Sequence, residues 1–377
     1  MLRNLFRITL ALSLVTSAVS MQPLVANAGG THTVTLNANG ASGSTVVIRV
    51  ATSSYKLPRV PFVRSGFSFG GWGKSPLGAK VYGDRATVPT TRNLTLFALW
   101  KEVPPIAPAL VGHTIGKLLW HEEFRGGVGS AINPATWTAR YCGQSAANGG
   151  GTCYNNEPQW YLPSEVALDG TAIGNARIVT KRVNSAPAGG ICSASSCQFT
   201  SARFDTQGKV AFQYGYIEAR IKMPAGGRNW PAYWMLGENI TSVQWPRSGE
   251  IDIAEQGRDR ATRNSGAIHY STTQFGSTHQ YDWGETYGVD FSADYHTYGL
   301  AWVPNKIELL VDGQVFRTFT SATARTTYWP FNNPFFLILN NATGDFGGSW
   351  TGWSQSEMLI DYVRAWKLDN QGTVYIR

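Results

Sequence analysis

Ser248-Gly249-Glu250-Ile251-Asp252-Ile253-Ala254-Glu255-Gln256 sets three carboxylates within six residues and interleaves them with isoleucines. Side chains alternate faces along a strand, so Glu250 and Asp252 share one face while Ile251 and Ile253 share the other. Strict alternation then sends Glu255 to the apolar side. A single extra residue taken up as a β-bulge near Ala254 shifts the phase by one and returns Glu255 to the face of Glu250, and bulges recur beside active sites. The stretch therefore predicts a bulged strand with an apolar face packed inward and an acidic face turned to a cleft. A solvated acidic strand edge would need neither the isoleucines nor the aromatic run Trp230-Pro-Ala-Tyr-Trp234 upstream.

With the bulge, the two glutamate Cα atoms stand about 13 Å apart, and side chains leaning together bring the carboxyls to about 5 to 5.5 Å. That separation fits retaining glycoside hydrolysis, whereas inversion needs about 6.5 to 9.5 Å to admit a water. Three carboxylates on one face cannot all ionise freely, because like charges raise the pKa of at least one. A glutamate kept protonated near neutral pH is what the acid step requires.

Glu-x-Asp-x-x-Glu in this setting resembles glycoside hydrolase family 16, in the laminarinase-type version that carries the extra residue. Other stretches follow in the family's order: Leu118-Leu-Trp-His-Glu-Glu-Phe124, Asn155-Asn-Glu-Pro-Gln-Trp160, Phe199-Thr-Ser-Ala-Arg203, Tyr214-Gly-Tyr-Ile-Glu-Ala-Arg220, Phe335-Phe-Leu-Ile-Leu-Asn340 and Met358-Leu-Ile-Asp-Tyr-Val-Arg364. The resemblance spans residues 105 to 368. It implies Glu250 as nucleophile, Glu255 as general acid and then base, and Asp252 as their assistant. Tryptophan offers a broad rigid surface to the apolar C–H faces of a sugar, and Trp230 and Trp234 match the family's glycone-binding tryptophans, with Trp245 a further candidate. Asn156 matches a loop residue that hydrogen-bonds glucose, Glu157 is either a cleft contact or a loop anchor, and His269 matches a histidine on the leaving-group side. The resemblance implies no cofactor for catalysis and, through Asp361, a structural calcium; one carboxylate is a thin donor set for an ion that takes 6 to 8 oxygens. In one place the chain departs from the pattern: Asn341-Ala-Thr-Gly-Asp-Phe346 replaces an apolar residue and a Gly-Gly turn, and is read as a loop bordering the cleft.

Around this region turn signals recur and long helical periodicity is absent. Ile217, Ala219 and Ile221 alternate with Tyr216, Glu218 and Arg220 as a half-buried strand, and Pro304-Asn305 and Asp312-Gly313 read as hairpin turns. Many antiparallel strands without helices argue for an all-β two-sheet sandwich. The resemblance sharpens this to a concanavalin A-like β-jelly roll over residues 111 to 370.

Upstream, residues 1 to 28 combine Arg3 and Arg7, an apolar run over residues 8 to 19 and Ala26-Asn-Ala28, the pattern of a secretory signal peptide. Residues 29 to 101 carry short β-prone runs around Gly66-Phe-Ser-Phe-Gly-Gly-Trp72 and resemble a single Listeria–Bacteroides repeat module. Its Phe67, Phe69, Trp72 and Trp100 are expected in its core, because a domain this small needs them inside. Residues 102 to 110 form a proline-rich linker. The four cysteines fall into two near pairs, Cys142 with Cys153 and Cys192 with Cys197; an exported chain makes disulfides the expected state, with three connectivities open.

The net charge of +8 comes without a Lys/Arg block or nucleic-acid motif, and charged residues are sparse at 15 %. The chain is therefore expected to be a secreted monomer whose partner is a β-glucan polysaccharide, with neither nucleic acid nor, after signal cleavage, membrane as a partner. Three rivals to the endo-β-1,3-glucanase reading are a family-16 hydrolase of another polysaccharide such as agarose, a transglycosylase, and a glucan-binding protein without activity. The presence of both Glu250 and Glu255 argues against the last.

Overall fold

The computed structural model describes residues 30–41, 43–64, 66–142, 155–171, 174–188, 190–192, 194, 196–257, 261–344 and 351–377. The stretch read as a signal peptide lies outside them, apart from which the chain divides into two compact units, Met1–Glu102 and Val103–Arg377.

The first unit is a five-stranded sheet in the order Val46–Val50, His32–Asn37, Leu94–Glu102, Phe67–Gly73, Lys80–Tyr82, with His32–Asn37 and Leu94–Glu102 parallel. Val34, Leu36, Trp72, Leu96 and Ala98 form its core, and Phe69 and Trp100 pack against it. Phe67 departs from expectation. It is half-buried and outside that core, with the Arg64 guanidinium 4.0 Å over its ring.

The second unit is a sandwich of two large, mostly antiparallel sheets, a β-jelly roll. One sheet runs His279–Tyr287, Arg263–Ser271, Glu250–Glu255, Asn229–Gly237, Phe335–Thr343, Arg203–Asp205, Thr138–Arg140. The facing sheet is built around Gln355–Leu368, Gly215–Lys222, His296–Val303 and Lys306–Val311. The core between them holds Ile251, Ile253, Ile268, Met235 and Leu337 from the first and Ile217, Ile221, Leu300, Trp302 and Leu309 from the second. Each fully buried aliphatic side chain is worth about 1.5–3 kcal/mol. A one-residue slip of Glu250–Glu255 would forfeit Ile251 and Ile253 and put carboxylates in their place, so the register is strongly specified.

The turns behave as their residues dictate. Asn305, Asp312 and Gly313 take φ of 63°, 48° and 76°, the left-handed values that tight hairpins need, between His296–Val303, Lys306–Val311 and Gln314–Thr320. Gly215–Lys222 is more buried than a half-solvated strand. Ile217, Ala219 and Ile221 face the core, but Tyr216 and Glu218 on the other face are also covered. Leu110, just past the prolines, packs there with Tyr216 and Trp366, and the Tyr216 and Tyr362 hydroxyls donate to the two Glu218 oxygens at 2.8 and 3.0 Å.

Cys192 and Cys197 form a disulfide. Cys142 is also disulfide-bonded, while Cys153 lies outside the described residues. Among the described residues no helix is long and apolar enough to cross a membrane.

Candidate active site

The acidic strand pairs with Asn229–Gly237 on one side and Arg263–Ser271 on the other, and both ladders jump at the same place. Tyr233 opposes Ala254 but Trp234 opposes Asp252; Asp252 opposes Ala267 but Glu255 opposes Ser265. One residue is absorbed at Ile253-Ala254, where the sequence calls for a bulge. Ile251, Ile253 and Ala254 are fully buried while Glu250, Asp252 and Glu255 line one cleft. Gly266 makes the bulge possible. A Cβ there would stand 2.4 Å from Leu309 Cδ1 and 2.7 Å from the Asp252 carbonyl, so any other side chain would push the bulged backbone away.

The three carboxyls raise one another's affinity for protons. Burial is the first cause, and it pushes Glu250 up to about 8, with the Asp252 charge adding to it. Burial and then the Glu255 charge hold Asp252 well above the usual carboxylate range, and burial raises Glu255 too. Two indole N–H groups work in the opposite direction by stabilising the ionised forms: Trp245 Nε1 donates to Glu250 Oε2 and Trp230 Nε1 to Glu255 Oε1, both at 2.9 Å. His269 Nε2 lies 3.1 Å from Asp252 Oδ2 and 4.0 Å from Glu250 Oε1. Asp252 Oδ2 has no aligned hydrogen bond, so the His269 contact is electrostatic rather than a directed bond.

The cleft has a volume of about 470 Å³, within the usual range of ligand sites. On one flank Trp230 and Trp234 rise from the same face of Asn229–Gly237, which runs through Pro231 without interruption. Trp234 Nε1 donates to Asn340 Oδ1 at 2.7 Å, Asn340 Nδ2 donates to the Tyr161 hydroxyl at 3.1 Å, and the Arg203 guanidinium sits 4.9 Å from the Trp234 ring. On the other flank Trp245, His269 and His279 line the cleft, with His269 Nδ1 and His279 Nε2 2.8 Å apart.

Glu250, Asp252, Glu255, Trp230, Trp234, Trp245, His269 and Glu157 thus converge on one cleft. Glu157 also anchors its loop, accepting from Gln159 Nε2 at 2.7 Å. Asn156 does not line it. Asn155 and Asn156 are consecutive left-handed residues, φ 59° and 54°, and the tight turn they make presents Asn155 to the cleft and leaves Asn156 exposed. Asn341, Ala342 and Thr343 are not loop but the buried end of Phe335–Thr343, held by Asn341 Nδ2 bonds to Thr180 and Asn229; Asp345 and Phe346 lie outside the described residues.

Asp361 does not fit a calcium site. Its Oδ2 accepts from Arg220 Nη1 at 2.6 Å, and the neighbouring Glu123 is taken by a bidentate Arg364 pair at 2.8 Å. Burial opposes the Glu123 charge, but the Arg364 and His121 bonds outweigh it and hold that carboxyl at about 2. Arginines supply the positive charge that a cation would bring. The described groups with metal-like convergence are Glu250, Asp252 and His269 themselves.

Arg203, Tyr161, Asn340 and His279 line the cleft without having been singled out from sequence. Parity along Phe335–Thr343 would have found Asn340, opposite Ala232, only with the strand pairing known. For His279 no local signal exists, because its facing depends on the length of the turn after Ser271.

The model of "Glycosyl hydrolases family 16" matches residues 174–364, and that of the "Listeria-Bacteroides repeat domain" matches residues 32–99. The chain is 32 % identical to a glucan endo-1,3-beta-glucosidase of Cryptopygus antarcticus, over 67 % of this chain and 93 % of that protein. It is 33 % identical to the laminarinase catalytic domain of Thermotoga maritima, with a TM-score of 0.56, covering 67 % of this chain and 98 % of that one. With the endo-beta-1,3-glucanase of Pyrococcus furiosus the values are 32 %, 0.59, 70 % and 99 %.

Proposed function

The chain belongs to glycosyl hydrolases family 16, and on that premise we propose that it is a secreted, retaining endo-β-1,3-glucanase with mixed-linkage β-1,3-1,4-glucan as a secondary substrate. The observation that carries the reading is the bulge at Ile253-Ala254, which sets Glu250 and Glu255 on one cleft face, each under an indole N–H. Relatives named as glucan endo-1,3-beta-glucosidase and as endo-1,3-1,4-beta-glycanase support the substrate class. Secretion rests on the pattern of residues 1 to 28.

In the first step a Glu250 oxygen attacks the anomeric carbon as its bond to the glycosidic oxygen breaks, and the leaving oxygen takes the Glu255 proton. Glu255 then accepts a proton from water, whose oxygen attacks the same carbon and releases Glu250. Two displacements return the original anomeric configuration. Burial, with the repulsion among the three carboxyls, keeps at least one proton in the cleft near neutral pH; the first step proceeds from the state in which that proton sits on Glu255 and Glu250, itself raised to about 8, is ionised under the Trp245 N–H. Asp252, at 3.1 Å from His269, spaces the two glutamates and takes up charge as the proton moves. No step asks for a cofactor.

The test is reducing-sugar release from laminarin, barley β-glucan, agarose and carboxymethyl-cellulose in parallel, with proton NMR of the first products. Release from laminarin with the β-anomer first is expected. Release with the α-anomer first would refute retention, release from agarose alone would refute the substrate, and no release would return the chain to the glucan-binding reading.

A further inference from the structure

Within the second unit, His279–Tyr287 is the outermost strand of the carboxylate sheet and pairs with Arg263–Ser271. Edge strands ordinarily protect themselves with charge, a bulge or a covering segment. This one instead exposes Tyr281, Trp283 and Tyr287, at 48, 51 and 59 %. Three large aromatics held half-open on one edge need a reason.

The register supplies it. Glu250 opposes His269, which opposes Tyr281; Asp252 opposes Ala267, which opposes Trp283; Glu255 opposes Ser265, which opposes Glu285. Opposed residues in antiparallel strands share a face. Tyr281, Trp283 and Glu285 therefore form a row parallel to the three carboxylates, two strand spacings or about 10 Å away. The intervening residues confirm the parity, because a Cβ at Gly284 would collide with Arg317 of the facing sheet, and Asp282 accepts the hydroxyl of core residue Tyr270. Between Asp252 and Trp283 stands only small, buried Ala267, so the floor is low. The Tyr281 ring continues the cleft wall directly, lying 5.7 Å from His269 and 5.8 Å from His279 at interplanar angles of 21° and 27°.

We propose that Tyr281 and Trp283 form an acceptor-side shelf that binds the leaving-group portion of the polysaccharide, stacking on glucosyl units beyond the one joined to the scissile oxygen. The proposal rests on the glucanase reading. Trp230 and Trp234 occupy the opposite flank, so a chain threaded past Glu250 and Glu255 must leave over His269 and this strand. Rigid rings half-open beside a cleft suit the apolar faces of sugars; Glu285 at the end of the row is already taken by Arg263 and the Tyr287 hydroxyl, so the two rings carry the shelf.

The experiment compares kcat/KM of wild type, Trp283→Ala, Trp283→Phe and Tyr281→Ala on laminarin and on nitrophenyl β-laminaribioside, whose leaving group carries no sugar. Either alanine variant should lower the laminarin-to-aryl ratio about tenfold, the loss appearing in KM, with Trp283→Phe recovering most of it. A ratio equal to wild type overturns the shelf, whether both rates fall together, as for a structural defect, or neither falls. Affinity electrophoresis through laminarin separates this from failure of the glucanase reading. Wild type that is retarded but inactive, with Trp283→Ala no longer retarded, removes the hydrolase and keeps the shelf; wild type neither retarded nor active removes both. Self-association lost in Trp283→Ala with unchanged sugar readouts would assign the row to a second copy of the chain and also overturn the proposal.

Discussion

Replacing Glu250 by Gln should make the protein more stable, and increasingly so as the pH rises. Folding lifts the Glu250 carboxyl from 4.5 to about 8, chiefly by burial and then by the Asp252 charge. A carboxyl whose folded pKa lies above its unfolded value costs nothing below pH 4.5, where both states are protonated. Above that pH the unfolded state loses its proton first, so folding becomes progressively less favourable until the folded state also ionises near pH 8. Raising the carboxyl from 4.5 to about 8, at about 1.36 kcal/mol for each tenfold change in proton affinity, caps the penalty at about 5 kcal/mol. The Glu250 side chain is 18 % exposed to the cleft, and Asp252 and Glu255 share the same repulsion, so we expect about 1–2 kcal/mol. For a unit of this size that is about 2–4 °C in Tm. The amide can still accept from Trp245 Nε1, which leaves the local geometry intact. Differential scanning calorimetry of both proteins from pH 4 to 9 should show a difference near zero at pH 4 that grows to pH 8 and then levels. A constant difference, or one that shrinks with pH, would refute the claim that the folded site is electrostatically strained.

The remaining predictions follow from single contacts. Trp230→Phe removes the N–H that stabilises ionised Glu255, so the alkaline limb of kcat/KM should move up by about one pH unit, given about 1.5–3 kcal/mol for a hydrogen bond to a charged group. An unmoved limb would mean that Trp230 is only a stacking surface. Gly266→Ala should cost about 1–3 kcal/mol in urea unfolding, because its Cβ meets both Leu309 and the Asp252 carbonyl, and should cut kcat by displacing the bulge. Full activity in that variant would show that the bulge can move without moving Glu255.

What the sequence disclosed, it disclosed through periods. The acid-apolar alternation of residues 250 to 255 and the hairpin turns at Asn305 and Asp312-Gly313 are local, and each appears where alternation and turn chemistry put it. The readings that the structure changes turn on particular contacts and turns, some near and some distant in sequence, that no period encodes. Phe67 lies outside its module's core, with the guanidinium of Arg64, three residues before it, over its ring. Asn341 looked like loop because its polar side chain has no local reason to be buried; Thr180 and Asn229, both remote in sequence, satisfy it. Asp361 resembled a metal ligand, but Arg220, across the sheet, took the carboxylate. Asn155 displaced Asn156 because two consecutive left-handed residues turn the chain further than a motif position can register.

The bulge ties the chemistry to the fold. A strand of strict period two would have put Glu255 where Ala254 now lies, in the core among Ile253 and Ile268, and burying an unpaired carboxylate there costs several kcal/mol. Absorbing the extra residue avoids that cost and seats the second glutamate in the cleft. It also crowds three carboxyls that would repel one another less if spaced by ordinary alternation. Burial and, after it, crowding keep a proton available for the leaving oxygen, and Ile251 and Ile253, buried on the opposite face, hold the strand in place against the repulsion. Stability at this strand and reactivity at its surface therefore trade against each other, and removing the ionisable group at Glu250 should raise the first while abolishing the second.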